Sequence, residues 1–248
     1  MKLVIAQIKM ELTTLVRNYE QLLLVVVIPV GVLVFFGSVE VLPDSMNLER
    51  LVSSVLTLSL MSTAMVSTGI ATGFERSYNV LKRLGVSPLG KRRLVWAKAS
   101  AVATVEMGQV SLLLVIAAVM GWSPGNVVWW QIMATLLLGT AAFAGIGLSM
   151  AGRLRAEANL AAQNGLYLVL LAVGGIIVPL DELPESLGNV ARYLPSGALA
   201  EIMHTSLGGP SATVFVGTPV VSGPWVVLAG WAIITPIVAA RLFRVDSQ

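Results

Sequence analysis

Residues 51–74 read LVSSVLTLSLMSTAMVSTGIATGF and residues 75–84 continue ERSYNVLKRL, so a long uncharged run ends abruptly in a charged segment. A helix of about 20 mostly apolar residues is long enough to cross the hydrocarbon core of a bilayer. The basic continuation is typical of a loop that leaves the membrane on its cytoplasmic side. This boundary decides the fold class, because soluble domains rarely carry an uncharged run of this length.

The rest of the chain repeats the pattern. Of the 248 residues 56% are hydrophobic and only 12% are charged, and the mean hydropathy is +0.84. The apolar runs are too long and unbroken for the strands of a transmembrane barrel. We therefore predict an all-α membrane protein with a single transmembrane domain over residues 1–248. Its six spans are expected at residues 21–39, 51–74, 97–121, 126–152, 158–180 and 220–240.

The basic residues predict the orientation of these spans. Fourteen of the sixteen Lys and Arg fall on one side of the predicted membrane, and only Arg50 and Arg192 fall on the other. Short cytoplasmic loops are enriched in Lys and Arg, so both termini are expected in the cytoplasm. Residues 1–19 place apolar side chains on one helical face, which predicts an interfacial helix, or alternatively a charged extension of span one. With this orientation, residues 181–219 are predicted to form an external segment.

No pattern for catalysis or metal binding stands out. The chain has no Cys, and its one His, His204, is expected in an external loop without the further ligands that a metal needs. Residues 85–92, GVSPLGKR, approach the phosphate-binding pattern GxxxxGK[ST], but Arg92 replaces the required hydroxyl. We expect no catalytic residue, no metal site and no directly bound cofactor.

Residues 75–98, ERSYNVLKRLGVSPLGKRRLVWAK, resemble the cytoplasmic loop of permeases in the type-two ABC exporter family. The shared features are an acidic-basic pair, a basic–Leu–Gly turn, a Pro-Leu pair and a Lys at the entry to span three. The resemblance implies an interfacial N-terminal helix, six spans, and short external helices after span five that partly re-enter the bilayer. It also implies separate cytosolic ATPase subunits, which bind ATP and Mg, and a second permease that is identical or homologous.

The same resemblance assigns residues 75–90 to a coupling segment that docks the ATPase. A helix here would present an apolar ridge with a basic rim. The alternative is that the basic residues only set topology and contact lipid phosphates. The docking residues expected are Glu75, Arg76, Val80, Leu81, Lys82, Arg83 and Leu84.

Glu106 is the sole ionisable residue well inside a predicted span, and such residues are costly unless they face protein or water. It is expected either to line a substrate path, with Gln109 one turn further on, or to be a protonated or hydrogen-bonded packing residue. Gln163, Asn164 and Tyr167 form a second polar group, which either faces a cavity between subunits or holds helices together.

The resemblance implies an export permease of the bacterial inner membrane, with drug-like molecules as the first expected substrates and lipids or glycans next. Multidrug efflux fits a short chain without an added soluble domain. ATP hydrolysis would belong to the partner, so the chain itself is not expected to be an enzyme. The alternatives are an ion-coupled secondary carrier or channel that uses Glu106, and a membrane scaffold that transports nothing.

Overall fold

The helices expected from the apolar runs are present in the computed structural model of the chain. It describes residues 9–10, 13, 23–39, 47–80, 90–123, 125–178, 180, 182–209 and 223–242, with backbone alone for 23–24 and 90–97. We number the α-helices α1 (Ile28–Ser38), α2 (Leu48–Met61), α3 (Thr68–Ser77), α4 (Gly90–Val119), α5 (Trp129–Ala151), α6 (Ala156–Val173), α7 (Glu185–Ala191), α8 (Pro195–Ser206) and α9 (Gly223–Leu242). No strand occurs among these described residues, so the all-α prediction is confirmed.

The predicted second span is one continuous helix of 30 residues, Leu48–Ser77, and it includes α2 and α3. Asn47 begins it as an N-cap, because its Oδ1 accepts a hydrogen bond of 2.9 Å from the Arg50 amide. Between α2 and α3 the residues Ser62–Ser67 form a π-helical segment, and a second one, Leu23–Val27, precedes α1. Wider turns of this kind are rare and often lie at functional sites.

Four described helices are long and apolar enough to cross a membrane: Leu48–Ser77, Lys98–Val119, Trp129–Ala151 and Gly223–Leu242. They correspond to the predicted spans two, three, four and six. The apolar part of the first span, Val25–Ser38, is shorter. The predicted fifth span is the 18-residue helix α6, in which Glu157, Asn159 and Gln163 lower the hydropathy. A total of six spans therefore stays a prediction.

The helices form one bundle around buried apolar side chains that include Leu56, Leu60, Met61, Met65 and Phe143. Helix α9 packs along α5, and α1 and α4 pack against α2. Helix α6 packs against α3 and α5. This arrangement brings residues that are far apart in the chain into the same buried layer.

The predicted external segment, residues 181–219, contains two short helices, α7 and α8, and the family resemblance implied short helices at this place. Helix α8 is not a surface element: every residue in it except Thr205 is buried, among α2, α5 and α9. Gly197 lets α8 approach the end of α7, since a Cβ at Gly197 would collide with the Ala191 carbonyl oxygen. Whether these helices re-enter the bilayer remains a prediction.

Parts of the predicted organisation fall on residues that are not described. Of the interfacial helix 1–19 only residues 9–10 and 13 are described, and all three are helical. Residues 40–46, 81–89, 210–222 and 243–248 lie outside the described part of the chain.

Candidate functional site

The predicted docking segment begins at the end of α3, where Glu75 forms an ion pair with Lys98 of α4. The Lys98 Nζ and Glu75 Oε1 atoms are 2.7 Å apart. The Lys98 side chain is 19% exposed and the Glu75 side chain is 23% exposed. A partly exposed pair of this kind contributes about 0–1 kcal/mol to stability. Its structural consequence is that the end of α3 is attached to the start of the third span.

Arg76 connects the end of α3 to a second neighbour, the turn between α5 and α6. Its guanidinium donates hydrogen bonds to the carbonyl oxygens of Gly152 and Leu154, the latter at 3.1 Å. Gly152 is the C-cap of α5, where helix carbonyls lack helical partners and a cation is favourable. The sequence predicted Arg76 as part of a docking rim and did not reveal this internal contact.

Beyond Arg76 the chain turns away from the bundle. Tyr78 is the C-cap of α3 and is 68% exposed, although its ring stacks on that of Phe74 with 6.1 Å between centroids. Asn79 follows with a φ of 59°, a left-handed conformation common just after a helix end. Val80 is 36% exposed. The other predicted docking residues, Leu81, Lys82, Arg83 and Leu84, lie outside the described residues.

The buried carboxyl predicted from the sequence, Glu106, lies between α4 and α5. Its side chain is 2% exposed, and its Oε2 is hydrogen-bonded to the hydroxyl of Thr140. Its second oxygen, Oε1, is buried and has no hydrogen-bond partner. Among the helices described, no cationic side chain lies within ion-pair distance of Glu106.

Gln109, one turn further along α4, is also buried and joins three elements. Its Nε2 donates to the Val25 carbonyl oxygen, and its Oε1 accepts from the Thr63 hydroxyl at 3.0 Å. Val25 and Thr63 belong to the two π-helical segments. Gln109 therefore attaches the third span to both irregular turns, so its observed contacts are structural.

The members of the second predicted polar group, Gln163, Asn164 and Tyr167, lie in different environments. Gln163 is buried and donates to the Gly147 carbonyl oxygen at 2.9 Å and to the Asn159 Oδ1 at 3.2 Å. Asn159 donates in turn to the Gly69 carbonyl oxygen at 2.9 Å, a residue and contact that the sequence analysis missed. These bonds join α6 to α3 and α5. This is the helix-joining role that the sequence left open.

The remaining two members of that group lie elsewhere on α6. Asn164 is exposed, and its Nδ2 donates only to the Leu160 carbonyl oxygen of its own helix, at 3.0 Å. Tyr167 is partly buried against the core. Within the described part of the chain, no hydrogen bond joins Gln163, Asn164 or Tyr167 to Glu106 or Gln109, and a substrate path along these five residues stays a prediction.

Glycines make the close contacts around Gln163 possible. A Cβ at Gly147 would lie 2.6 Å from the Met65 carbonyl oxygen, and one at Gly73 would lie 2.6 Å from the Asn159 Nδ2. A Cβ at Gly69 would collide with the Gln163 side-chain amide. Small residues at helix contacts in membranes allow backbones to approach in this way.

The expectation for His204 was wrong, because it lies in helix α8 and is buried, not in an external loop. Its Nδ1 is 3.3 Å from the Ser53 hydroxyl oxygen of α2, and Gly209 covers the ring. Burial, followed by the nearby charge of Arg50, lowers the pKa of His204 to about 4. The imidazole is therefore neutral at physiological pH.

Residues 2–207 match the family described as ABC-2 type transporter. A protein of Bacillus subtilis (strain 168) named "Putative transport permease YvfS" is 22% identical over 192 residues, which cover 75% of this chain and 78% of that protein.

Proposed function

This chain belongs to the ABC-2 type transporter family, and from that premise we propose that it exports a hydrophobic or amphipathic molecule from the cytoplasm. The family membership confirms the resemblance found in residues 75–98, and it makes the chain a permease of an ABC transporter. We propose drug-like molecules as the first substrates to test, then lipids and glycans. ATP hydrolysis would take place on separate subunits, with which permeases of this family normally work.

The observation that carries the proposal is the pair of contacts at the base of the docking segment. Glu75 holds α4 through Lys98, and Arg76 holds the α5–α6 turn through two backbone carbonyls. A displacement of residues 75–84 would therefore move α3, α4 and the α5–α6 turn together. This gives a route by which closure of an ATPase pair could alter the packing of the spans, provided that the ATPase binds the two states with different affinity.

Aromatic residues support the proposed depth of the external helices. The exposed ring of Trp130 stacks on the partly buried ring of Trp225 with centroids 6.2 Å apart, at the starts of α5 and α9, where an aromatic belt at a membrane surface would lie. Trp231 lies six residues further along α9, about 9 Å deeper at the helical rise. Its Nε1 donates to the Tyr193 carbonyl oxygen at 2.9 Å. The end of α7 would then lie below the outer surface, as the proposed re-entrant helices require.

A second permease is proposed to cover the open side of α6. Asn164 and Gly165 are exposed there, and a Cβ at Gly165 would meet nothing within 4 Å. An amide and a small residue on a span are more favourable against another helix than against lipid. The proposed pair of permeases is either a homodimer or a heterodimer. It lies in the bacterial inner membrane, with both termini of the chain in the cytoplasm.

The second candidate is an ion-coupled carrier or channel, which the buried Glu106 favours. Such carriers commonly bind substrate where spans are broken near the bilayer midplane. Pro236 lies inside α9, yet the helix continues through it from Gly223 to Leu242. Transport by the purified chain in liposomes without an ATPase would favour this candidate.

Co-purification of the chain with an ATPase subunit tests the main proposal. Charge reversal at Lys82 and Arg83, combined with Val80→Glu, should abolish retention of the ATPase and leave the melting temperature of the permease unchanged. Arg153→Glu is the matched control, because Arg153 is exposed in the α5–α6 turn outside the predicted docking segment. Arg76 is kept in these variants, since its loss would also disturb the bundle. Full retention of the ATPase by the triple variant would contradict the proposed docking role.

A further inference from the structure

The contact between Glu106 and Thr140 lies near the middle of the membrane-crossing helices. Thr140 is eleven residues from each end of α5, so it is about 16 Å from either end at 1.5 Å per residue. Glu106 is eight residues beyond Lys98, about 12 Å along the span by the same rise. The carboxyl is therefore far from either aqueous surface, where an unpaired negative charge is costly.

The charged residues on the helices around Glu106 cannot neutralise it. Helix α1, the two π-helical segments and α5 contain no charged residue. Helix α2 carries Glu49 and Arg50, both in its first turn. At the other end of the bundle Lys98 is paired with Glu75. Among the described side chains, no cation forms the ion pair that an ionised Glu106 carboxyl would need.

If both hydrogen bonds of Thr140 form at the same time, they determine where the hydrogen atoms lie. Its Oγ1 is 2.6 Å from the Leu136 carbonyl oxygen and also within hydrogen-bond distance of Glu106 Oε2. A hydroxyl has one hydrogen to donate, and the Leu136 carbonyl can only accept. If Thr140 donates to Leu136, the bond to Glu106 requires a hydrogen on the carboxyl. A neutral carboxylic acid satisfies both bonds with one hydrogen each.

We propose that Glu106 is a proton-binding site: it holds one proton while α4 and α5 are in contact at Thr140. The acid O–H donates to Thr140 Oγ1, and Oε1, which has no partner, is an uncharged carbonyl oxygen. Separation of α4 from α5 would admit water and release the proton. The equilibrium between the packed state and a state that exposes Glu106 therefore depends on pH, with or without an ATPase. For one proton the ratio of the two states changes by up to about tenfold per pH unit.

Infrared spectroscopy of the purified chain tests proton occupancy directly. At neutral pH the wild type should show a protonated-carboxyl C=O band that shifts in D2O and is absent from Glu106→Gln. Glu201→Gln is the matched control, since Glu201 is also a buried carboxyl but lies in α8. The C=O band that is lost in Glu106→Gln should still be present in Glu201→Gln. Identical spectra for wild type and Glu106→Gln would overturn the proposal.

Two further measurements cover the case in which Glu106→Gln alters the fold. Thr140→Val removes the hydroxyl with little change of volume, so it should shift the C=O band without abolishing it. The melting temperature of the wild type should fall between pH 6 and pH 9 relative to that of Glu106→Gln, because high pH favours states that have released the proton. An unshifted band in Thr140→Val, or parallel pH dependence of the two melting temperatures, would also contradict the proposal.

Discussion

Gly147→Ala is the substitution whose effect follows most directly from the packing of the spans. The new Cβ would lie 2.6 Å from the Met65 carbonyl oxygen and 3.3 Å from its carbonyl carbon and Cα. These are backbone atoms of the π-helical segment, so no side-chain rotation can relieve the contact. The helices must separate, and the 2.9 Å hydrogen bond from Gln163 to the Gly147 carbonyl would lengthen.

The expected magnitude combines three terms. Overpacking of a close contact costs about 1–3 kcal/mol, and a hydrogen bond between membrane helices contributes about 0.6 kcal/mol. Replacing a helical Gly by Ala gains about 0.5–1 kcal/mol. The net destabilisation expected is therefore about 0.6–3 kcal/mol.

Gly165→Ala provides the matched control. Gly165 lies in helix α6, and its Cβ would meet nothing within 4 Å, so only the gain in helix propensity remains. Unfolding of both variants and the wild type in mixed micelles, followed by circular dichroism, measures the difference. Gly147→Ala should unfold more readily than the wild type, and Gly165→Ala should not. Equal stability of the two variants would refute the close contact of α5 with Met65.

Two further predictions concern charged and titratable groups. A double-mutant cycle on Glu75→Gln and Lys98→Gln should give a coupling free energy below about 1 kcal/mol that decreases with added salt, because the pair is partly exposed; a coupling well above about 1 kcal/mol, or one that added salt leaves unchanged, would contradict this. For His204, the folded-state pKa of about 4 lies below its usual 6.5, so stability is fully present above pH 6.5 and is lost as the pH falls toward 4. Melting temperatures from pH 7 to pH 4 should fall more steeply for the wild type than for His204→Gln, and equal slopes would contradict the burial of a neutral imidazole.

The start of the predicted docking segment shows what could and could not be predicted from the sequence. The pair Glu75 and Arg76 was recognised because an acidic-basic pair directly after an apolar run is visible in the sequence. Their partners, Lys98 and the carbonyls of Gly152 and Leu154, depend on how three helix ends meet. Backbone carbonyls are present at every residue, so no sequence pattern distinguishes the ones that Arg76 contacts.

The polar residues inside the spans show the same division. Glu106 and Gln163 were found because a charged or amide side chain is conspicuous in an apolar run. Asn159 was missed, since it is the second residue of the predicted fifth span, next to the charged turn, where a polar side chain is unremarkable. Its buried bond to Gly69 exists because α3 and α6 pack together at a glycine.

By itself the sequence determined that the chain is helical and to which family it belongs, and it predicted six spans. Four of these are described helices long and apolar enough to cross a membrane. Hydrophobic length and charge are sums over neighbouring residues, so they can be read without knowing any contact. Only the tertiary structure decided that α8 is buried, that His204 is covered, and that Glu106 meets Thr140. Those outcomes depend on how closely helices that are distant in the chain approach one another. That approach is set by the small size of glycines at the contacts and by the direction of single hydrogen bonds.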